Sequence, residues 1–224
     1  MTRNTKSKGP AQEKKESGRT RRMSGKDRRE QVVRSVLKLA EGGLKAVTVA
    51  SVAEDVGLVP SALYRHFRGR DDMVRAAFAV LRGRLEENLN LAFAEPSALD
   101  GMEKLILRQV ALAQACPAMP RIIFSDEVLA GDDPLRLYMI ETQDRIIRGI
   151  ASVMARAQEQ GEVRADLAPA DLAIIFMGQL LMPLHMQRLR HGAYDLEGQV
   201  ERNWRAFRRL LAGPGTDTEQ EVRS

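Results

Sequence analysis

The stretch TVASVAEDVGLVPSALYRHF, Thr48 to Phe67, decides the reading of this chain. Thr48 stands where a hydroxyl accepts from a free backbone N–H of an opening helical turn. Val49, Val52, Ala53 and Val56 follow at helical spacing and make one apolar face. Gly57 comes next, where a helix end commonly needs a residue that tolerates positive φ. Pro60 suits the first turn of a second helix, in which its missing N–H costs nothing. That helix is predicted over Pro60 to Phe67. It buries Leu63 and Phe67 at i, i+4 and turns Ser61, Ala62, Tyr64, Arg65 and His66 mostly outward. Two short helices around a glycine turn, the second polar on its open side, have the composition of a DNA-reading helix-turn-helix.

The distribution of charge points the same way. Residues 1–75 carry 18 Lys+Arg against 9 Asp+Glu, and the rest of the 224-residue chain carries 17 against 21. A basic third joined to a mildly acidic body fits a polyanion-binding end on a separate support. Phosphate neutralisation supplies most non-specific DNA affinity. Many exposed helices are basic for no such reason; here the basic segment contains the motif.

On Val47-Thr48, Ala53 and Gly57, Leu63-Tyr64-Arg65-His66-Phe67 and Arg70-Asp71-Asp72-Met73, the chain resembles the TetR family of bacterial transcriptional regulators. An upstream helix from about Asp27 to Glu41, with Val32, Val33, Val36, Leu37 and Ala40 on its buried side, fits the same pattern. Gly69-Arg70 stands where the family usually has a lysine-bearing turn, and Pro60 is less usual at the start of its recognition helix. The resemblance implies a three-helix DNA-binding domain at 25–85, with the helix-turn-helix at 48–67. A larger helical ligand-binding and dimerisation domain would fill 86–212. Residues 1–24 read as a disordered basic arm, either a solvated tail or an extra DNA contact. Residues 213–224 read as a frayed polar tail.

Periodicity alone predicts an all-α protein, because no strand-period segment or internal repeat occurs. After a helix over 70–93 come runs at about Ala98–Ala115, Met119–Leu129, Pro134–Gly161, Ala168–His191 and Leu196–Leu211. The Ala168–His191 run is apolar on nearly all sides and so needs covering on every side. Pro183 within it is expected to kink or loosen a turn. In the TetR family the last two helices meet their symmetry mates in a four-helix bundle. The resemblance therefore implies a homodimer, with Leu172, Ile175, Phe176, Leu180, Met186, Trp204, Phe207 and Leu211 at the interface. A central core helix of a monomer is the alternative.

Contacts to double-stranded DNA are expected from Thr48, Ser61, Ala62, Tyr64, Arg65, His66 and Arg70, toward a near-palindromic operator. Tyr64 and Arg70 resemble the family's phosphate-binding tyrosine and lysine; packing against the first helix is the other reading of Tyr64 and His66. A small-molecule pocket is implied in the larger domain. Its candidate lining is Leu105, Gln109, Cys116, Met119, Phe124, Tyr138, Met139, Phe176, Met177 and His185, each of which, taken singly, reads first as ordinary core.

One cysteine excludes an internal disulfide framework and a cysteine-based zinc site. His66, His185 and His191 lack metal spacing, and no Gly-rich phosphate loop or nucleophile elbow occurs, so no cofactor and no enzymatic chemistry are expected. Asp126-Glu127 and Asp132-Asp133 read as solvated helix ends or as attractors of a cation. No apolar run is expected to approach a membrane span, and the charged N-terminus lacks a signal-peptide core. The expected compartment is the cytoplasm. The function expected is a repressor released from its operator by a small apolar or amphipathic effector. The alternatives are a nucleoid-occlusion or architectural regulator acting through a protein partner, and a catalytic domain fused to a DNA reader.

Overall fold

The computed structural model describes residues 24–129 and 134–212. The expected arm (apart from Ser24), Asp132-Asp133 and the tail at 213–224 lie outside the described residues. Among those residues there are α-helices and one 3-10 turn, with no strand.

Helix α1 (Gly25–Ala40) starts at a reciprocal cap: Asp27 N–H donates to Ser24 Oγ, and Ser24 N–H to the Asp27 carboxylate, both at 3.1 Å. Gly43, at φ 103°, then lets the chain turn into a 3-10 turn at Leu44–Ala46, which periodicity did not reveal. Helix α2 (Val49–Asp55) begins at Thr48, whose Oγ1 accepts from Ser51 N–H at 3.0 Å while Ser51 Oγ accepts from Thr48 N–H at 2.9 Å. Helix α3 (Pro60–Leu63) is shorter than the predicted Pro60–Phe67. Beyond Leu63 the chain tightens, with His66 N–H donating to the Leu63 carbonyl at 2.9 Å and Phe67 N–H to the same oxygen at 3.0 Å.

Helix α4 (Arg70–Phe93) runs through the expected domain boundary at 85, so the two regions share one continuous rod. It packs against α1 on one side and against α5 (Ala98–Ala115) and α8 (Pro134–Glu159) on the other. Two glycines permit these contacts. A Cβ at Gly101 would collide with the Ala92 carbonyl, and one at Gly149 with the Leu89 side chain. The α4–α5 turn is tied from afar: Ala98 N–H donates to Gln160 Oε1 at 2.9 Å and Leu99 N–H to Glu162 at 2.8 Å.

The predicted apolar piece at Met119–Leu129 is two short helices, α6 (Ala118–Ile123) and α7 (Asp126–Leu129). Ser125 separates them: its hydroxyl donates to the Ile122 carbonyl at 3.0 Å and accepts from Val128 N–H at 3.3 Å. Helix α6 also packs on α1.

Helices α9 (Pro169–Leu189) and α10 (Leu196–Leu211) close the described chain. Helix α9 stays helical through Pro183. The proline ring deprives the Gln179 carbonyl of its helical donor. Asn203 on α10 replaces that donor, its Nδ2 reaching the Gln179 oxygen at 3.1 Å, which counters the expected loosening. Contrary to the sequence expectation, α9 is, among the described residues, long and apolar enough by length and composition to cross a membrane. Its inner side (Leu172, Ala173, Phe176, Gln179, Leu184) is nevertheless buried against protein.

Candidate nucleic-acid interface and effector cavity

Helices α2 and α3 are fastened from behind. Val52, Ala53, Leu63 and Phe67 are buried together with Val32, Val36 and Ala40 of α1. Arg29 of α1 donates from Nη1 to the His66 carbonyl at 2.7 Å, and its guanidinium lies 4.4 Å from the Phe67 ring centre. This arginine, which the sequence analysis passed over, fixes the end of the reading turn. On the open side, Thr48, Ser61, Tyr64 and Arg65 are exposed, with Tyr64 at 59% and Val59 at 64%. Ala62 and His66 are half-buried. Val59, an exposed apolar residue at the entry to α3, also escaped the sequence analysis, because one valine beside a turn carries no pattern.

Arg70 is placed differently from a free phosphate-binding cation. Its Nε donates to the Val47 carbonyl at 2.7 Å, and Nη2 to the Leu44 carbonyl at 2.8 Å and to Glu127 of α7 at 2.7 Å. Nη1 lies 3.3 Å from Asp71. The guanidinium thus joins the turn before α2 to helix α7 of the larger region. Glu127 accordingly reads as a tie rather than as a cation attractor.

Behind α4 lies an apolar cavity of about 80 Å³, bounded by α4, α5, α6, α8 and α9. Leu105, Gln109, Met119, Tyr138, Met139, Phe176 and Met177 line it; Phe78, Arg82, Thr142, Ile146 and Leu184 are further lining residues that the sequence analysis did not name. Cys116, Phe124 and His185 are not in that lining. Cys116 caps the end of α5, and burial pushes its thiol pKa up, which disfavours the thiolate. Phe124 and His185 meet edge to face at 5.8 Å, and Phe124 lines a separate groove with Val128, Leu129, Arg136 and Asp144. Among the described residues no group of three or more His, Cys, Asp or Glu stands in a metal-binding arrangement.

The residues expected at a dimer interface differ in how far their own subunit covers them. Leu172, Phe176, Trp204, Phe207 and Leu211 are buried within the subunit, where Phe176 packs edge-on to Trp204 at 6.0 Å. A side chain already covered by its own chain has little area left for a partner. Leu180 lines the cavity, and Met186 is half-buried. The uncovered apolar side of α9 is Ile174, Ile175, Met182 and Leu189, and Leu210 of α10 is exposed as well. Of the original set, only Ile175 lies there.

A short exposed reading helix on a basic three-helix unit, carried by an all-helical body, defines a helix-turn-helix DNA-binding regulator. Residues 38–77 match the family described as bacterial regulatory proteins, tetR family. The chain is 25% identical over 167 residues to the nucleoid occlusion factor SlmA of Marinomonas sp. (strain MWYL1), covering 74% of this chain and 82% of that one. Its fold matches a TetR-family transcriptional regulator from Rhodococcus sp. with a TM-score of 0.70 at 20% identity, over 84% of this chain and 100% of that one. It also matches FadR from Bacillus subtilis, solved in complex with stearoyl-CoA, with a TM-score of 0.68 at 16% identity, over 82% and 98%. The tetR-family match thus falls on the helix-turn-helix and its flanks, and the chain as a whole shares the fold of these solved regulators.

Proposed function

We propose that this protein is a homodimeric repressor that binds a near-palindromic operator through α2 and α3 and leaves it when a small apolar effector fills the cavity. The observation that carries the reading is shared walls. Helix α4 both supports α1 and lines the cavity, and α6 lines the cavity while packing on α1. A ligand that spreads these walls acts directly on the seat of the reading turn. To loosen DNA binding a hundredfold it must favour the released arrangement by about 2.7 kcal/mol. Contact is proposed for Thr48, Ser61, Ala62, Tyr64 and Arg65, with Val59 added and His66 in a supporting place. The methionines Met119, Met139 and Met177 make the walls adaptable, and the fold shared with a regulator solved with stearoyl-CoA supports an apolar occupant.

The dimer is proposed on the uncovered α9–α10 side. Gly178 sits in the middle of that side with open space around it, which lets a second helix approach. A second functional reading, DNA binding coupled to a protein partner, draws on the likeness to a nucleoid occlusion factor.

Selection of bound duplexes from random DNA tests the proposal. Enrichment of a near-palindrome, with binding reversed by an apolar metabolite pool, is the result expected. Asymmetric or sequence-indifferent binding contradicts the repressor reading, and a palindrome unaffected by any metabolite shifts it to the protein-partner form.

A further inference from the structure

The cavity lining is mostly apolar; of its polar side chains, Arg82, Gln109, Tyr138, Thr142 and Gln143, two carry a buried atom without a partner. Gln109 of α5 is only 8% exposed, lines the cavity, and its Oε1 accepts no hydrogen bond. The Tyr138 hydroxyl of α8, also in the lining, is buried and unpaired. The neighbouring Thr142 hydroxyl is already spent on the Tyr138 carbonyl at 2.8 Å. Buried polar atoms are normally paired, and two orphans on side chains that line one cavity mark places where a ligand that spreads its walls could supply the missing partners.

Charge narrows the class of ligand. Arg82 lies over the Tyr138 ring at 4.8 Å, and Arg82 and Arg145 flank Glu86 at 3.9 and 3.6 Å. Arg145 also reaches Glu141 at 3.5 Å. Two cations and two carboxylates thus balance at this end of the cavity. Burial raises the Tyr138 pKa, which keeps the phenol protonated and able both to donate and to accept. The Gln109 carbonyl oxygen rewards a donor and repels a carboxylate.

We infer that the effector is a neutral apolar molecule carrying a hydrogen-bond donor, an alcohol, phenol or amide, which Gln109 Oε1 accepts while the Tyr138 hydroxyl provides a second anchor. This rests on the effector reading above and adds a selectivity that a plain apolar cavity lacks. At about 80 Å³ the cavity is smaller than the engineered dry cavity of about 150 Å³ that takes benzene, so a one-ring probe, the smallest of its class, enters by spreading the methionine-lined walls.

The test uses the full chain and titration calorimetry with three probes of one shape: p-cresol, p-xylene and p-toluate. An apolar cavity without anchors prefers p-xylene, because removing a hydroxyl from water without a new partner is unfavourable. The anchored cavity binds p-cresol about tenfold more tightly than p-xylene and does not retain p-toluate. Gln109→Leu is expected to reverse that preference, and Tyr138→Phe to weaken p-cresol severalfold while leaving p-xylene unchanged. Either variant suffices if the other fails to fold. Equal or tighter binding of p-xylene, or preference for p-toluate, by the wild type overturns the anchors but leaves an effector cavity standing. Binding of none of the three overturns the effector reading and this inference with it.

Discussion

Val59 and Tyr64, the residues that cap helix α3 at its two ends, are exposed, whereas Trp204 lies inside the body between Phe176 and Phe207, 6.0 and 6.2 Å away. The reading turn rests on a small apolar seat, Leu63 and Phe67 packed with α1, and is fixed by Arg29 on the His66 carbonyl and on the Phe67 ring. The body is held by continuous apolar packing across α4, α5, α8, α9 and α10. The contrast teaches that affinity and stability are separable here. Changes at the tip reach DNA without touching the core, and changes in the core reach everything.

The largest effect is expected in the body. Trp204→Ala removes a side chain that is 2% exposed and should cost about 3–5 kcal/mol of stability. Denaturant unfolding measures it, and a loss near zero would erase the distinction between the two regions. Next in size is assembly. Ile175→Glu puts a charge on the uncovered side of α9 and is expected to yield monomers in sedimentation at micromolar concentration, with helical circular dichroism retained. A dimer unaffected by this change moves the interface elsewhere.

These two experiments also show what was legible in the sequence. The helix at Leu196–Leu211 and the cap at Thr48 depend on neighbours within a turn or two, so periodicity and capping chemistry revealed them. The side of α9 that faces outward does not. Phe176 and Ile175 are adjacent apolar letters, and only the positions of α8 and α10 decide that Phe176 turns in while Ile175 turns out. Arg70 was hidden for a similar reason, because its partner Glu127 lies on α7, far along the chain. The rescue of the Gln179 carbonyl by Asn203 joins two helices, and no pattern within either one announces it. Gln109 and Tyr138 were legible as polar points in apolar runs, but their lack of partners is a property of the packed molecule.

A smaller effect is expected where the two regions meet. Glu127→Gln removes the carboxylate that engages Arg70. If that tie restrains the reading unit, operator affinity should rise severalfold and its salt dependence should steepen, since a cation is released toward phosphate. Unchanged affinity and slope would make the pair purely structural.

The smallest effect sits on the surface of the DNA-binding unit, where Lys38 and Asp55 pair at 2.5 Å. The hydrogen bond from Lys38 lowers the Asp55 pKa, and the reciprocal bond raises that of Lys38. A lowered carboxylate pKa contributes stability above its unfolded value and loses it as pH falls through the folded one. A raised lysine pKa contributes below its unfolded value and loses it as pH rises through the folded one. Asp55→Asn should therefore cost a little Tm at neutral pH and nothing in strong acid, with the pair exposed enough to keep the shift small. A difference in Tm that persists unchanged into acid contradicts this pairing.

The central claim is that the exposed tip of α3 reads DNA from a support it does not stabilise. The most direct test is the affinity of Tyr64→Ala for the selected operator, measured by fluorescence anisotropy beside its unfolding curve. The account predicts about a tenfold loss of affinity with stability within about 0.5 kcal/mol of the wild type. Unchanged affinity in a variant that is folded and dimeric would contradict it.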